Sequence, residues 1–80
     1  MPRLPTVKPR QVIQALQRIG FEVDHQTGSH VVLLRVSDGR RVVVPWHNRD
    51  LSRGLTLRLI RSAGLEQDEF VELLTCKKEL

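Results

Sequence analysis

From Pro9 to Ile19 the apolar residues Val12, Ile13, Leu16 and Ile19 recur with Arg10, Gln14, Gln17 and Arg18 between them. This is one stripe of a 3.6-residue period, and it predicts an amphipathic helix. Pro9 suits the first helical turn, where its missing N–H is not needed, and Gly20 suits the left-handed position just past the end. The period then falls to two: in "FEVDHQ", Phe21, Val23 and His25 alternate with Glu22, Asp24 and Gln26, as in a half-buried strand. "TGS" breaks that pattern. Residues 30–36 carry Val and Leu on both faces, as expected of a central strand. Ser37, Asp38 and Gly39 then turn the chain into "RRVVVP", a third strand ended by Pro45.

Beyond a polar connection, "WHNRDLSRG", Leu55, Leu59, Ile60 and Ala63 form a second helical stripe closed by Gly64. A third, shorter helix is expected from about Gln67 to Leu74, with Asp68 and Glu69 complementing its N-terminal dipole. The order is α-β-β-β-α plus a C-terminal helix. Each helix has one apolar side, so the predicted fold is α+β, with a three-stranded antiparallel sheet carrying its helices on one face. The other sheet face is left partly apolar, a candidate partner surface.

Eighty residues suffice for a single domain with a core over about residues 7–74, the termini 1–6 and 75–80 being loose, and leave no room for a cofactor domain. The net charge of +4 and pI near 10.2 favour an anionic partner. The single cysteine, Cys76, excludes an internal disulfide and any multi-cysteine zinc site. With no apolar signal core and no membrane-length apolar run, a cytoplasmic protein with no membrane partner is expected.

The candidate chemistry lies in three histidines. His25 and His30 can be metal ligands, a catalytic base with a bystander, or two ordinary exposed imidazoles. The metal reading is weak: the "TGS" break separates the two, alternation does not place them dependably on one face, and Glu22 and Asp24 are expected to point away from His25. No metal and no other cofactor is expected. Gly28 frees the backbone to turn and lets a ligand approach, and Ser29 either donates to a phosphate oxygen or caps the turn. His47, at the end of strand three, is expected near the start of strand two. There it serves either as a second acid or phosphate ligand, or as a loop residue orienting the second helix. Trp46 either stacks on a base or, the favoured reading, joins the core.

The helix ending in "GF", the triplet "GSH" opening the second strand, the turn "DGR", the strand end "VVVPWH" and the helix closing in "AGL" occur here in one order. Together they resemble the HicA toxins, small proteins of toxin–antitoxin pairs, and the likeness runs from the first helix to Leu74. The resemblance implies a fold like a double-stranded-RNA-binding domain, metal-independent mRNA cleavage that blocks translation, and neutralisation by a HicB antitoxin. It also makes His30, the histidine of "GSH", the catalytic residue. One position departs from the family: its second-helix glycine is commonly followed by Thr, whereas Gly54 is followed by Leu55 and then Thr56.

The residues suit such a reaction independently of the likeness. RNA carries its own nucleophile, the 2′-hydroxyl, so a nuclease needs a base near it and positive charge at the phosphate. Histidine titrates near operating pH and suits the first role. Most of the thirteen cationic residues are arginine, whose planar fork binds phosphate in a bidentate manner. Arg49 and Arg53, before the second helix, are the best placed for single-stranded RNA, because a helix N-terminus adds its own attraction for an anion. Two competing readings are a non-catalytic RNA-binding module of the same fold and a protein-interaction domain using the apolar sheet face.

Overall fold

Two of the helices end in the same way, and those ends organise the fold. The structure, a computed structural model, describes residues 6–75. The N-terminal arm with Pro2 and Pro5, and Cys76, lie outside the described residues. The elements are α1 (Pro9–Gln17), β1 (Glu22–Gln26), β2 (His30–Arg35), β3 (Arg40–Pro45), α2 (Arg53–Ser62) and α3 (Gln67–Thr75). They form an α+β fold of order α-β-β-β-α-α, with one antiparallel sheet of strand order β1-β2-β3.

After α1, the Phe21 N–H donates to the Leu16 carbonyl at 3.1 Å across Gly20, whose φ is +100°. After α2, the Leu65 N–H donates to the Ile60 carbonyl at 2.9 Å across Gly64, φ +80°. Both are six-residue C-terminal caps that need a left-handed residue, which glycine supplies without a steric penalty. The cap pulls Arg18, Ile19 and Gly20 out of the helix, so α1 stops at Gln17 and not at Ile19 as its apolar stripe predicts. At the other end, the Lys8 N–H donates to Gln11 Oε1 at 2.8 Å, and Pro9 takes the first helical position. Helix α2 starts on Ser52, whose Oγ accepts from the Leu55 N–H.

The side chain of Arg35, at the end of β2, joins these caps. Its Nη1 donates to the Ile19 carbonyl at 3.2 Å and its Nη2 to the Ala63 carbonyl at 3.5 Å, the residues just before the two glycines. Its guanidinium lies 4.8 Å from the Phe21 ring centroid, and two further bonds, 3.1 and 2.7 Å, hold it to the Asp38 carboxylate. The negative ends of two helices thus converge on one cation. The hydrogen bond to Asp38 raises the Arg35 pKa further. Arg35 in turn holds the Asp38 carboxyl down from 3.8 to about 2, with help from the Arg40 N–H and the charges of Arg35 and Arg40.

The helices cover one sheet face. Val31 and Leu33 of β2 and Val42 and Val44 of β3 point into a core with Val12, Leu16, Phe21, Leu59, Ile60 and Phe70. Val32, Leu34 and Val43 lie on the opposite face. Val32, 8% exposed, is buried there between neighbouring strands, whereas Val43 remains 45% exposed. Strand β2 ends at Arg35, and Val36 turns out into solvent.

Leu33→Ala is expected to lower stability by about 2–5 kcal/mol, through lost burial and the cavity left. Val43→Ala, on the uncovered face, should stay within about 0.5 kcal/mol of wild type. Urea midpoints at unchanged slope measure both. Because the Asp38 carboxyl titrates lower folded than unfolded, it stabilises the fold above its ordinary value, and this contribution is lost as pH falls through about 2. Asp38→Asn should therefore lower stability at pH 6 and flatten the acid-side decline between pH 4 and 2 in thermal scans.

Candidate active site

The turn between β1 and β2 is closed by Thr27. Its Oγ accepts from the His30 N–H at 3.1 Å, and its own N–H donates to the His30 carbonyl at 2.9 Å. Thr27, and not Ser29, therefore caps the turn. Gly28 does not have a positive φ, so a left-handed turn is not its reason for being there. A Cβ built on it would meet nothing within 4 Å, so the surface beside His30 is open.

Ser29 instead serves the imidazole: its Oγ lies 3.0 Å from His30 Nδ1. In the tautomer that carries the proton on Nδ1, the ring donates to Ser29 and Nε2 presents a lone pair; in the other, Ser29 donates and Nε2 carries the proton. His30 is exposed at the first position of β2, opposite Pro45 of β3, and the Trp46 N–H donates to the Ser29 carbonyl at 2.8 Å. The end of strand three thus adjoins the start of strand two, and His47 follows two residues after the partner of His30.

His47 has a job in its own loop. Its Nδ1 accepts from the Arg49 N–H at 3.1 Å. The same loop is tied down by Lys8, whose Nζ reaches the Asn48 carbonyl at 3.2 Å and Asp50 at 3.4 Å, and by the Leu51 N–H to the Val7 carbonyl at 2.7 Å. His47 therefore orients the segment leading to α2. With Lys8, Arg10, Gln11, Trp46 and Asn48 it also lines an open cleft. Trp46 is not in the core as favoured from the sequence. It is 39% exposed and forms a wall shared by that cleft and a groove with Arg10, Ile13, Gln14, Gln17, Val23 and Gln26. Arg49 lies exposed in the loop and Arg53 is the first residue of α2. Thr56 is buried, its hydroxyl donating to the Ser52 carbonyl at 2.9 Å, so it makes a structural contact and does not face a ligand.

The alternation expected for β1 fails after Val23. Glu22 pairs with Leu34 and Val23 with Leu33, but His25 pairs with Val32 and Gln26 with Val31. The register shifts by one residue at Asp24, a β-bulge, and every later side chain changes face. His25 therefore lies on the face of Val32 and His30, not on that of Val23. Asp24, expected to point away from His25, instead sets its Oδ2 2.8 Å from His25 Nδ1. The sequence offers little signal of this, because no apolar residue follows Val23 in β1 to betray the shift. Among the described residues, no group of three or more His, Cys, Asp or Glu side chains is gathered to hold a metal ion.

An open three-stranded sheet backed by helices, with an exposed Ser-supported histidine at a strand start, defines a small α+β protein with a surface site. A family model described as the HicA toxin of bacterial toxin–antitoxin systems matches residues 9–65. The chain therefore belongs to the HicA toxin family, and its role is that of the toxin in such a pair, which implies an antitoxin partner. The match stops at Leu65, so α3 lies beyond it, short of the likeness to Leu74 read from the sequence. No curated protein matches the chain. No described helix is long and apolar enough to cross a membrane.

Thr27→Val is expected to cost about 1 kcal/mol, by removing the acceptor of the His30 N–H. Amide hydrogen exchange should accelerate at His30 while remaining unchanged at Arg49, whose bond to His47 is separate.

Proposed function

We propose that this toxin is a metal-independent endoribonuclease that cleaves mRNA in the cytoplasm and so inhibits translation, and that a HicB-type antitoxin neutralises it. The observation that carries this reading is His30. Its ring is exposed, its Nδ1 is held by Ser29 at 3.0 Å, and open surface lies beside it at Gly28. Family membership adds the context of a toxin.

The chemistry follows from that arrangement. With Nδ1–H donated to Ser29, His30 Nε2 is free to take the proton of an RNA 2′-hydroxyl. The 2′-oxygen attacks the adjacent phosphorus, the bond from phosphorus to the 5′-oxygen breaks, and that oxygen takes up a proton. The products are a 2′,3′-cyclic phosphate and a 5′-hydroxyl. Ser29 positions the base, and Gly28 leaves room for the ribose. Arg49 and Arg53, with Trp46 and His47 on the neighbouring cleft, supply positive charge and a stacking surface along the strand. Preorganised cations near the phosphate stabilise the charge that develops there.

Full-length toxin freed of its antitoxin, treated with chelator, should cut a labelled single-stranded RNA. His30→Ala should reduce the rate by at least about 10²-fold, the usual contribution of a positioned base, while RNA affinity measured by fluorescence anisotropy changes less than threefold. Binding without cleavage by wild type at every pH would establish the competing reading, a non-catalytic RNA-binding module.

A further inference from the structure

The bulge in β1 creates a second imidazole site that the cleavage reading above leaves unused. His25 pairs with Val32, and His30 precedes Val32 by two residues on the same strand, so the two histidines are diagonal neighbours on one sheet face. Such diagonal positions lie about 7–8 Å apart at Cα and less at Cβ, within reach of two long side chains converging on one group. Both rings are exposed, and the helices pack on the other face. Were β1 regular, His25 would share the face of Val23 and point to the groove beside α1. The inserted Asp24 turns it toward His30.

Asp24 does more than shift the register. Its Oδ2 accepts from His25 Nδ1–H at 2.8 Å, so Nδ1 keeps its proton and Nε2 is the nitrogen turned away from the support, carrying a proton when the ring is charged. With a carboxylate behind Nδ1, Nε2 is the ring atom left to exchange a proton with a ligand. On the neighbouring strand Ser29 Oγ lies 3.0 Å from His30 Nδ1, and in the tautomer with Nδ1–H His30 Nε2 is the acceptor. The two imidazoles on one surface thus have unlike supports, a carboxylate behind His25 and a hydroxyl behind His30.

We propose that His25, protonated and held by Asp24, is the general acid of the RNA cleavage reaction, the catalytic partner of His30. The assignment rests on the cleavage reading. As His30 Nε2 removes the 2′-hydroxyl proton and the 2′-oxygen bonds to phosphorus, His25 Nε2–H gives its proton to the departing 5′-oxygen. The enzyme ends with His30 protonated and His25 neutral, and exchange with solvent resets both. Asp24 is a positioning residue: it holds the ring through Nδ1–H before and after transfer. The charged or titratable groups facing His25 are Asp24 and Glu22 on its own strand and His30 across on β2, with Arg41 on the same face of β3 beyond. This places the acid on His25 and leaves His47, bonded to the Arg49 N–H, as part of the scaffold.

The test compares ordinary RNA with RNA carrying sulfur in place of the bridging 5′-oxygen at the cut site. A thiolate leaves without a proton, so loss of a general acid is silent on that substrate. His25→Gln should cut ordinary RNA about 10²–10⁴ times more slowly than wild type, the range typical of acid–base catalysis, yet cut the sulfur substrate within threefold of wild type. His30→Ala should slow both. Asp24→Asn, which weakens the acceptor of His25 Nδ1–H, should slow cleavage of ordinary RNA more than cleavage of the sulfur substrate. An equal loss on both substrates for His25→Gln, or ordinary RNA cut at the wild-type rate, overturns the assignment of His25 and leaves His30 as base intact. Wild type cutting neither substrate overturns the cleavage reading itself, and the assignment with it.

Discussion

The contact on which the rest of the structure depends is the one Arg35 makes with two helix ends at once. Helix α1 and helix α2 each end in a cap built on a left-handed glycine, and the carbonyls of Ile19 and Ala63, just before those glycines, both turn toward one guanidinium. Asp38 orients that guanidinium from the β2–β3 turn, and Phe21 supports its face. The strand that ends in Arg35 is the central one, so fixing this side chain fixes β2 relative to both helices. A strand's side chains alternate with a period of two, and a register fixed at one end determines the face of every residue to the other. His30 stands at that other end.

The remaining geometry of the site comes from a local exception to the same rule. Strand β1 begins in register with the core, Val23 opposite Leu33, and leaves it one residue later. As an edge strand it can absorb an extra residue without breaking a central ladder, which is where bulges are tolerated. The result is an asymmetric sheet. One face is packed with Val and Leu under three helices, and the other carries His25, His30, Val32, Leu34 and Val43 with no helix over it. The buried core and the exposed histidines are thereby divided between the two faces.

Much of this was legible in the chain. The helical stripes, the glycines at 20 and 64, the "SDG" turn and the doubly apolar β2 each express a period or a backbone need that amino-acid identity records directly. So do the motifs that carry the family likeness, which the match over residues 9–65 supports. Three features were not legible, each for a physical reason. The bulge at Asp24 falls where polar residues occupy both faces, so the pattern carries no phase. The side chain of Arg35 reads as one more surface cation, because nothing in the sequence says that Ile19 and Ala63 meet. Trp46 reads as core by its size, yet it follows the half-buried Pro45 at the sheet's rim and stays partly in solvent.

The central claim is that histidines on this face drive attack by the RNA's own 2′-hydroxyl. The most direct measurement is cleavage, in chelator, of an RNA whose cut site carries a single 2′-deoxy nucleotide, with the product ends identified by mass. The account predicts that cleavage at that site disappears and that the all-ribose control yields a 2′,3′-cyclic phosphate and a 5′-hydroxyl. Cleavage that survives the 2′-deoxy substitution, or that leaves a 5′-phosphate, would contradict it.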